Sequence, residues 1–562
     1  MFILGVGYHA DASACLLKNG ELISAISEER INRKKSWFGV PHKSIKSILD
    51  LNNLSIKDID LIATHGVIGG EKNALRYDEI KKSINNSDLD KKLKKTQLDF
   101  LNSRFRREQN VYKLRIPNRL RELEKYGIPI KVFSHHHCHA ASAYYSNSKK
   151  NGYILTMDGW GEDGLSSTLW KVENFRMKKV SESGVLDSLG YFYGSITNSL
   201  GYIPHRHEGK ILGLAAYAKI KRPLPKIESQ FSVDYKNLRF RSHMEKGIYK
   251  PQFQNLELDN YLKKFSSEDT AFSAQSVLEK VVCGLVKKIS DKNINLFLAG
   301  GIFANVKLNQ KLKELRNISN VYIFPNMGDG GLSVGAAQLC FTNQLNKLPC
   351  KVKSMLLGNE IDDVELVKFL KKKKIQFKFF KNINKKIASL LAKEQIVIRV
   401  FGKMEFGPRA LGNRSILFGC EDKEVNKWLN KKLKRTEFMP FAPATLEKDA
   451  KKMYKKLTGG EIAANFMTMT FDCKQKMQKE SPAAVHIDGT ARPQIIKKQT
   501  YPDFFKTLVE YKKLTGKSSL INTSFNMHEE PIVCSIEDAI RAFHASTIPW
   551  LAINNFLIWQ KT

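Results

Sequence analysis

An α/β protein of two domains, the first a duplicated structure enclosing a cleft, is the fold class this chain predicts. Three observations carry that expectation. A length of 562 residues is more than one ordinary core accommodates. A strand, turn, strand, turn, strand pattern opens near residue 2 and recurs near residue 152. Between about 340 and 360 the composition shifts to a Lys- and Asn-rich connector, beyond which a different set of polar, glycine-marked segments begins. The domains are therefore placed at 1–345 and 346–562.

Residues 2–7 are apolar, and residues 12–17 and 21–27 flank Asn19-Gly20, a hairpin signal. The second opening has residues 153–157, a glycine-rich turn to Gly164, then residues 166–171 and 176–181. Two such halves, each followed by helices, are how actin-like ATPases and sugar kinases are built, with nucleotide in the cleft between them. Residues from about 75 to 126 are charged and helix-favouring, and they read as a helical insertion. Leu296 to Asn305 reads as a strand, the tight turn Gly300-Gly301 and a helix start. Such a turn lets backbone N–H groups approach a phosphate or ribose, although close helix–strand packing alone also demands glycine.

The most informative stretch is Ser134-His135-His136-His137-Cys138-His139, which follows the apolar residues 128–133. A helix starting near His135 sets His135 and His139 on one face, with His136 and His137 directed elsewhere. Asp158 closes the apolar strand 153–157 in a glycine-rich turn, and Asp329 sits in Gly328-Asp329-Gly330-Gly331 beyond a second strand. Two imidazoles with one or two carboxylates suit iron(II), manganese or zinc better than magnesium or calcium, which prefer all-oxygen shells. A hydrogen-bonded histidine loop is the alternative.

Hydrophobic content of 42% allows globular packing. No segment has the roughly eighteen uninterrupted apolar residues of a membrane span, and the N-terminus lacks a basic region and cleavage site, so a cytoplasmic protein is expected. The eight cysteines are scattered without a CxxC pair, which indicates neither a disulfide framework nor a zinc ribbon. The net charge of +36 lies in dispersed lysines, as in Lys371 to Lys374 and Lys451 to Lys456. No aromatic-rich basic motif accompanies them, so nucleic acid is not expected as a partner, whereas small anionic substrates gain from the field.

In the second domain, Arg409 and Arg414 stand in a Gly/Pro/Asn loop arranged like a guanidinium clamp for a carboxylate or phosphate. A structural ion-pair loop is the competing reading of any single segment. With His486 to Gln494 and Ile521 to Asn526, the segments together favour a ligand site.

The motifs His135-His-His-Cys-His139-Ala-Ala-Ser-Ala-Tyr, Glu208-Gly-Lys210-Ile-Leu-Gly, Ala299-Gly-Gly-Ile-Phe-Ala-Asn305, Glu405-Phe-Gly-Pro-Arg-Ala-Leu-Gly-Asn-Arg-Ser415, His486-Ile-Asp-Gly-Thr-Ala-Arg492 and Asn522-Thr-Ser-Phe-Asn526 closely resemble, in order and spacing, the O-carbamoyltransferases of the nodulation-factor, cephalosporin and tobramycin type. The resemblance implies an actin-like N-terminal domain and a YrdC-like C-terminal domain. The latter would form carbamoyladenylate from carbamoyl phosphate and ATP with Mg2+. The former, with iron(II) or another transition metal, would pass the carbamoyl group to a hydroxyl of a sugar or other small metabolite. Carried over, the metal ligands fall on His135, His139, Asp158 and Asp329. Catalytic roles fall on His135, Lys210, Arg414, Lys434 and Ser524. Substrate and nucleotide contacts fall on Asp11, Ser13, Lys35, Glu208, Gly209, Gly300, Gly301, Asn305, Arg409, Arg435, His486, Asp488, Thr490, Arg492, Asn522 and Asn526. Two positions depart from the family's pattern. His9 is one place out of register in Tyr8-His9-Ala10-Asp11, and Met439 replaces the usual arginine before Pro440. The alternative function is a threonylcarbamoyl-type tRNA-modifying transferase. The acceptor itself is not written in any motif.

Overall fold

The computed structural model describes residues 1–66, 76–110, 116–161, 164–432, 438 and 440–560. It packs as two compact units, one of Met1–Gly7 with Ile59–Lys351 and the other of Tyr8–Asp58 with Val352–Thr562.

In the first unit the strands Phe2–Gly7, Leu61–His65 and Ile130–Phe133 run parallel, in registers Ile3 to Leu61 and Ile62 to Ile130. Between the last two strands lie the helices Tyr77–Asn85, Lys91–Asn110 and Ile116–Glu124. A second sheet has the strand order Ile318–Ile323, Ile294–Ala299, Gly152–Met157, Leu165–Glu173, Arg176–Gly184. Its first three strands are parallel and the last two complete an antiparallel meander. Near-continuous burial of Leu296, Phe297 and Leu298 fits a sheet covered on both faces. Each half thus runs through three successive strands and then two more that lie parallel within its sheet, as the repeated opening predicts. The chain is a mixed α/β protein.

The helix His135–Tyr145 follows Ile130–Phe133 directly and packs on the helix Leu332–Leu345. Their approach is so close that a Cβ on Gly335 would strike the main-chain carbonyl of Cys138. Glycine at 335 is a packing requirement, and it draws Asp329, just ahead of the second helix, toward the histidines.

The second unit holds a mixed sheet in the order Phe377–Phe379, Phe556–Trp559, Trp550–Ile553, Val397–Val400, Arg414–Phe418, Ser519–Ser524, Ala442–Leu446, Gln494–Ile496. Residues 8–58, with the hairpin Ser13–Lys18 and Glu21–Ser27, pack with this unit. The buried Arg30 and the half-buried Arg33 tie them there. Arg30 Nη2 donates to the Gly407 carbonyl at 2.7 Å, and Arg33 donates to the Pro531 and Ile532 carbonyls at 2.7 and 2.8 Å. No composition shift marks this partition.

Candidate active site

The helix that begins at His135 does what its spacing demands. His135 and His139 project from one face, both fully buried at 0% exposure, with their Nε2 atoms 3.1 Å apart. Across from them stand two carboxylates delivered by the ends of strands. His139 Nε2 lies 3.2 Å from Asp158 Oδ2 and 3.5 Å from Asp329 Oδ1. His135 Nε2 lies 3.8 and 3.6 Å from the same two atoms. All four ligand atoms fall within 4.8 Å of one another. A tetrahedron with arms of about 2.1 Å has edges of roughly 3.4 Å, close to these five His–His and His–Asp separations, so the donor set suits a transition ion. Two carboxylates this close repel each other, and a cation between them offsets that repulsion. Burial acts to raise the Asp158 carboxyl, but bonding and charge from the two imidazoles outweigh it and hold the group well below the usual carboxylate range. The carboxylate side chains keep 18% and 11% exposure, which marks the side from which the centre is reached.

Supporting contacts fix these ligands. The Gly159 N–H donates to Asp158 Oδ1 at 2.7 Å and the Gly301 N–H to Asp158 Oδ2 at 3.3 Å. Gly300, at φ +107°, sits where any Cβ would strike the Met157 carbonyl, so the turn at 300–301 closes directly on the ligand strand. His136 Nδ1 lies 2.8 Å from Thr156 Oγ1, two residues before Asp158. His137 stacks on Trp170 at 4.8 Å, and burial, with some help from Lys179, lowers its imidazole to about 4. The histidines between the ligands are thus structural neighbours of the centre.

Glu208, Gly209 and Lys210 open the helix Glu208–Leu214. Burial holds the Glu208 carboxyl above its ordinary range, against its backbone bonds and the nearby His205 and His207. Lys210 is buried, with its ammonium 5.7 Å from the Tyr202 ring centre. Asn305 caps the helix Val306–Lys313 through a 3.0 Å bond from Leu308 N–H, and its amide donates to Gln275 at 2.7 Å. Gln275 in turn accepts from Tyr193 at 3.0 Å, and Tyr193 feels the Glu208 charge. A polar chain therefore runs from Asn305 through Gln275 to Tyr193.

In the second unit the loop from Gly407 to Arg414 is the focus. The expectation of a two-arginine clamp needs correction. Arg414 is fully buried, and its guanidinium donates to the carbonyls of Phe401, Gly402, Asn413 and Asn359 at 3.1, 3.0, 2.9 and 3.0 Å. It braces the loop from inside and presents no donor fork to a ligand. Arg409, half-buried beside the exposed Pro408, remains at the loop's apex. Asn522 is likewise engaged internally, donating to the Ala410 carbonyl at 3.2 Å and to Gln494 at 2.7 Å. Ser524 pairs across the sheet with Ser415. Gln494, two residues beyond the half-buried Arg492, donates to the Leu411 carbonyl at 2.8 Å. The loop thus packs against the segments that carry Arg492 and Ser524.

Asp488 accepts from Thr490 N–H and Oγ1 at 3.0 and 2.6 Å and lies 3.4 Å from His486, so these three residues build a tight turn. Asn526 Nδ2 donates to the Met527 and Glu530 carbonyls at 2.9 Å each. Asp11, Ser13 and Lys35 pack with the second unit, where Lys35 lies 4.0 Å from Glu529. Lys434 and Arg435 lie outside the described residues, as does Met439. Sequence reasoning missed Arg30, whose partner is 377 residues away, and gave no role to Glu405.

Curated relatives include an uncharacterized protein of Methanocaldococcus jannaschii, 33% identical over 81% of this chain and 78% of its own. The nodulation protein NolNO of Sinorhizobium fredii is 29% identical over 98% of this chain and 79% of its own. The nodulation protein NolO of Bradyrhizobium diazoefficiens is 30% identical over 76% and 79%. Among solved structures, HypF of T. kodakarensis shares 13% identity, with a TM-score of 0.36, over 61% of this chain and 48% of that one, so the chain spans about half its length. Among the described residues no helix is long and apolar enough to cross a membrane. Family models described as carbamoyltransferase N-terminus and carbamoyltransferase C-terminus match residues 2–338 and 388–560, and the chain belongs to the carbamoyltransferase family.

Proposed function

We propose that this carbamoyltransferase is ATP-dependent and works in two half-reactions, ending on a hydroxyl of a sugar or other small metabolite. The observation that carries the reading is the His135, His139, Asp158 and Asp329 quartet in a chain whose two halves match the two carbamoyltransferase models. Balance requires that carbamoyl phosphate, ATP and water give carbamoyladenylate, phosphate and pyrophosphate. The acceptor hydroxyl then attacks the carbamoyl carbon, AMP leaves, and the hydroxyl proton is taken up.

In the first half-reaction the Arg409 and Arg492 guanidiniums bind phosphate oxygens and Ser524 orients the carbamoyl head, while magnesium accompanies ATP. In the second, His135, His139, Asp158 and Asp329 would hold a divalent transition ion, iron(II) among the candidates, which when bound supplies Lewis acidity. Glu208, whose carboxyl is held above its ordinary range by burial, takes the hydroxyl proton. Lys210 balances the phosphate charge of the departing AMP. The test is incubation with Mg-ATP, carbamoyl phosphate and a panel of sugar acceptors, read by mass spectrometry. The expected product is heavier by one carbamoyl group and appears with AMP and pyrophosphate. Formation of ADP in place of AMP, or modification of tRNA and no small acceptor, would contradict the proposal.

A further inference from the structure

A glycine-marked loop beside a strand normally invites the reading that its amides cradle a phosphate. In the stretch from Leu411 to Arg414 those amides already have an anion. Glu405 is 2% exposed, and its Oε1 accepts the N–H groups of Leu411, Asn413 and Arg414 at 2.8, 2.8 and 3.0 Å. The remaining amide of the run, that of Gly412, donates to Ser415 Oγ at 3.0 Å. Outward, the loop's carbonyls are held as well, Gly412 by the buried Arg399 and Gly407 by Arg30. The Glu405 charge is balanced by the buried guanidiniums of Arg399 and Arg414. Pro408 is exposed and Arg409 half-buried in the same loop.

We infer that Glu405 is the resident anion of this loop, a positioning residue that occupies the amide nest itself so that Arg409, and not the backbone, reads the phosphate of the substrate. The assignment rests on the proposed use of carbamoyl phosphate. Without Glu405, three converging N–H groups lose their common acceptor and the loop loses the centre around which it is wound. The Glu405→Gln side chain keeps an oxygen for the same three donors, whereas Glu405→Ala leaves a gap of carboxylate size that added formate can fill.

Two readouts on the full chain test this. Hydrogen exchange needs no substrate: amides in the peptide spanning 407–414 are protected in the wild-type protein and in Glu405→Gln, and exchange at least tenfold faster in Glu405→Ala. Pyrophosphate–ATP exchange then reads the substrate. Glu405→Ala raises the carbamoyl phosphate KM at least tenfold, with formate restoring much of the loss. Glu405→Gln stays within about threefold of wild type, and Arg409→Ala raises KM without rescue by formate. Unchanged loop protection or an unchanged KM in Glu405→Ala overturns the assignment, as does equal impairment of Glu405→Gln and Glu405→Ala. Absence of exchange in the wild-type protein sinks the carbamoyladenylate reading instead, and the loop assignment is then decided by its hydrogen exchange alone.

Discussion

Replacing Arg414 by Met distinguishes a bracing guanidinium from a ligand-binding one, because the two roles predict opposite readouts. Four carbonyls accept from this side chain, but they do not all depend on it. The Asn359 carbonyl also accepts from Met404 N–H at 3.0 Å and the Asn413 carbonyl from Phe401 N–H at 3.0 Å. The Phe401 and Gly402 carbonyls have Arg414 as their acceptor bond within the described residues. Two carbonyls are therefore stranded, at about 1–3 kcal/mol each. Removing a fully desolvated cation returns part of that, and Met fills most of the volume. A net loss of roughly 3 kcal/mol results. Urea unfolding followed by the fluorescence of Trp428, Trp550 and Trp559 should show the transition of the second unit moved to lower urea. An unmoved transition in Arg414→Met, together with a raised carbamoyl phosphate KM, would refute the bracing role.

Protein purified without oxygen should hold about one transition ion per chain by elemental analysis, and His139→Ala should lose it, since one of four donors disappears. Chelation of the wild-type ion should lower the thermal midpoint of the first unit, because an ion that binds the folded quartet stabilises it by mass action. Gly335→Ala should abolish metal binding without touching a ligand, because its Cβ strikes the Cys138 carbonyl and forces apart the helices that align the four donors; wild-type metal content in that variant would exclude the packing argument.

The clustering of His135, His139, Asp158 and Asp329 was legible because each stands at a place where local structure dictates direction. His135 and His139 are a helical turn apart, and Asp158 and Asp329 each end an apolar strand in glycine. The glycines of the 300–301 turn were legible as a close approach, but which neighbour they approach required the sheet, which brings Met157 and Asp158 against them. The role of Arg414 was not legible. An arginine in a Gly/Asn loop reads the same whether its fork meets a ligand or its own backbone, and only the inward path of Arg414–Phe418 decides. The internal bonds of Asn522 and Asp488 were not legible for the same reason, since short amides and carboxylates serve turns and loops as readily as ligands. The packing of residues 8–58 with the second unit depends on Arg30 and Arg33 reaching partners hundreds of positions away, and no local pattern encodes that.

Carbamoyl-phosphate-dependent exchange of labelled pyrophosphate into ATP, measured in the wild-type protein and in His139→Ala, tests the central claim most directly. The account predicts exchange in both, with carbamoyl transfer to an acceptor surviving only in the wild type, because the second unit makes the adenylate and the metal quartet of the first unit transfers its carbamoyl group. No exchange in the wild-type protein, or loss of both half-reactions together in His139→Ala, contradicts it.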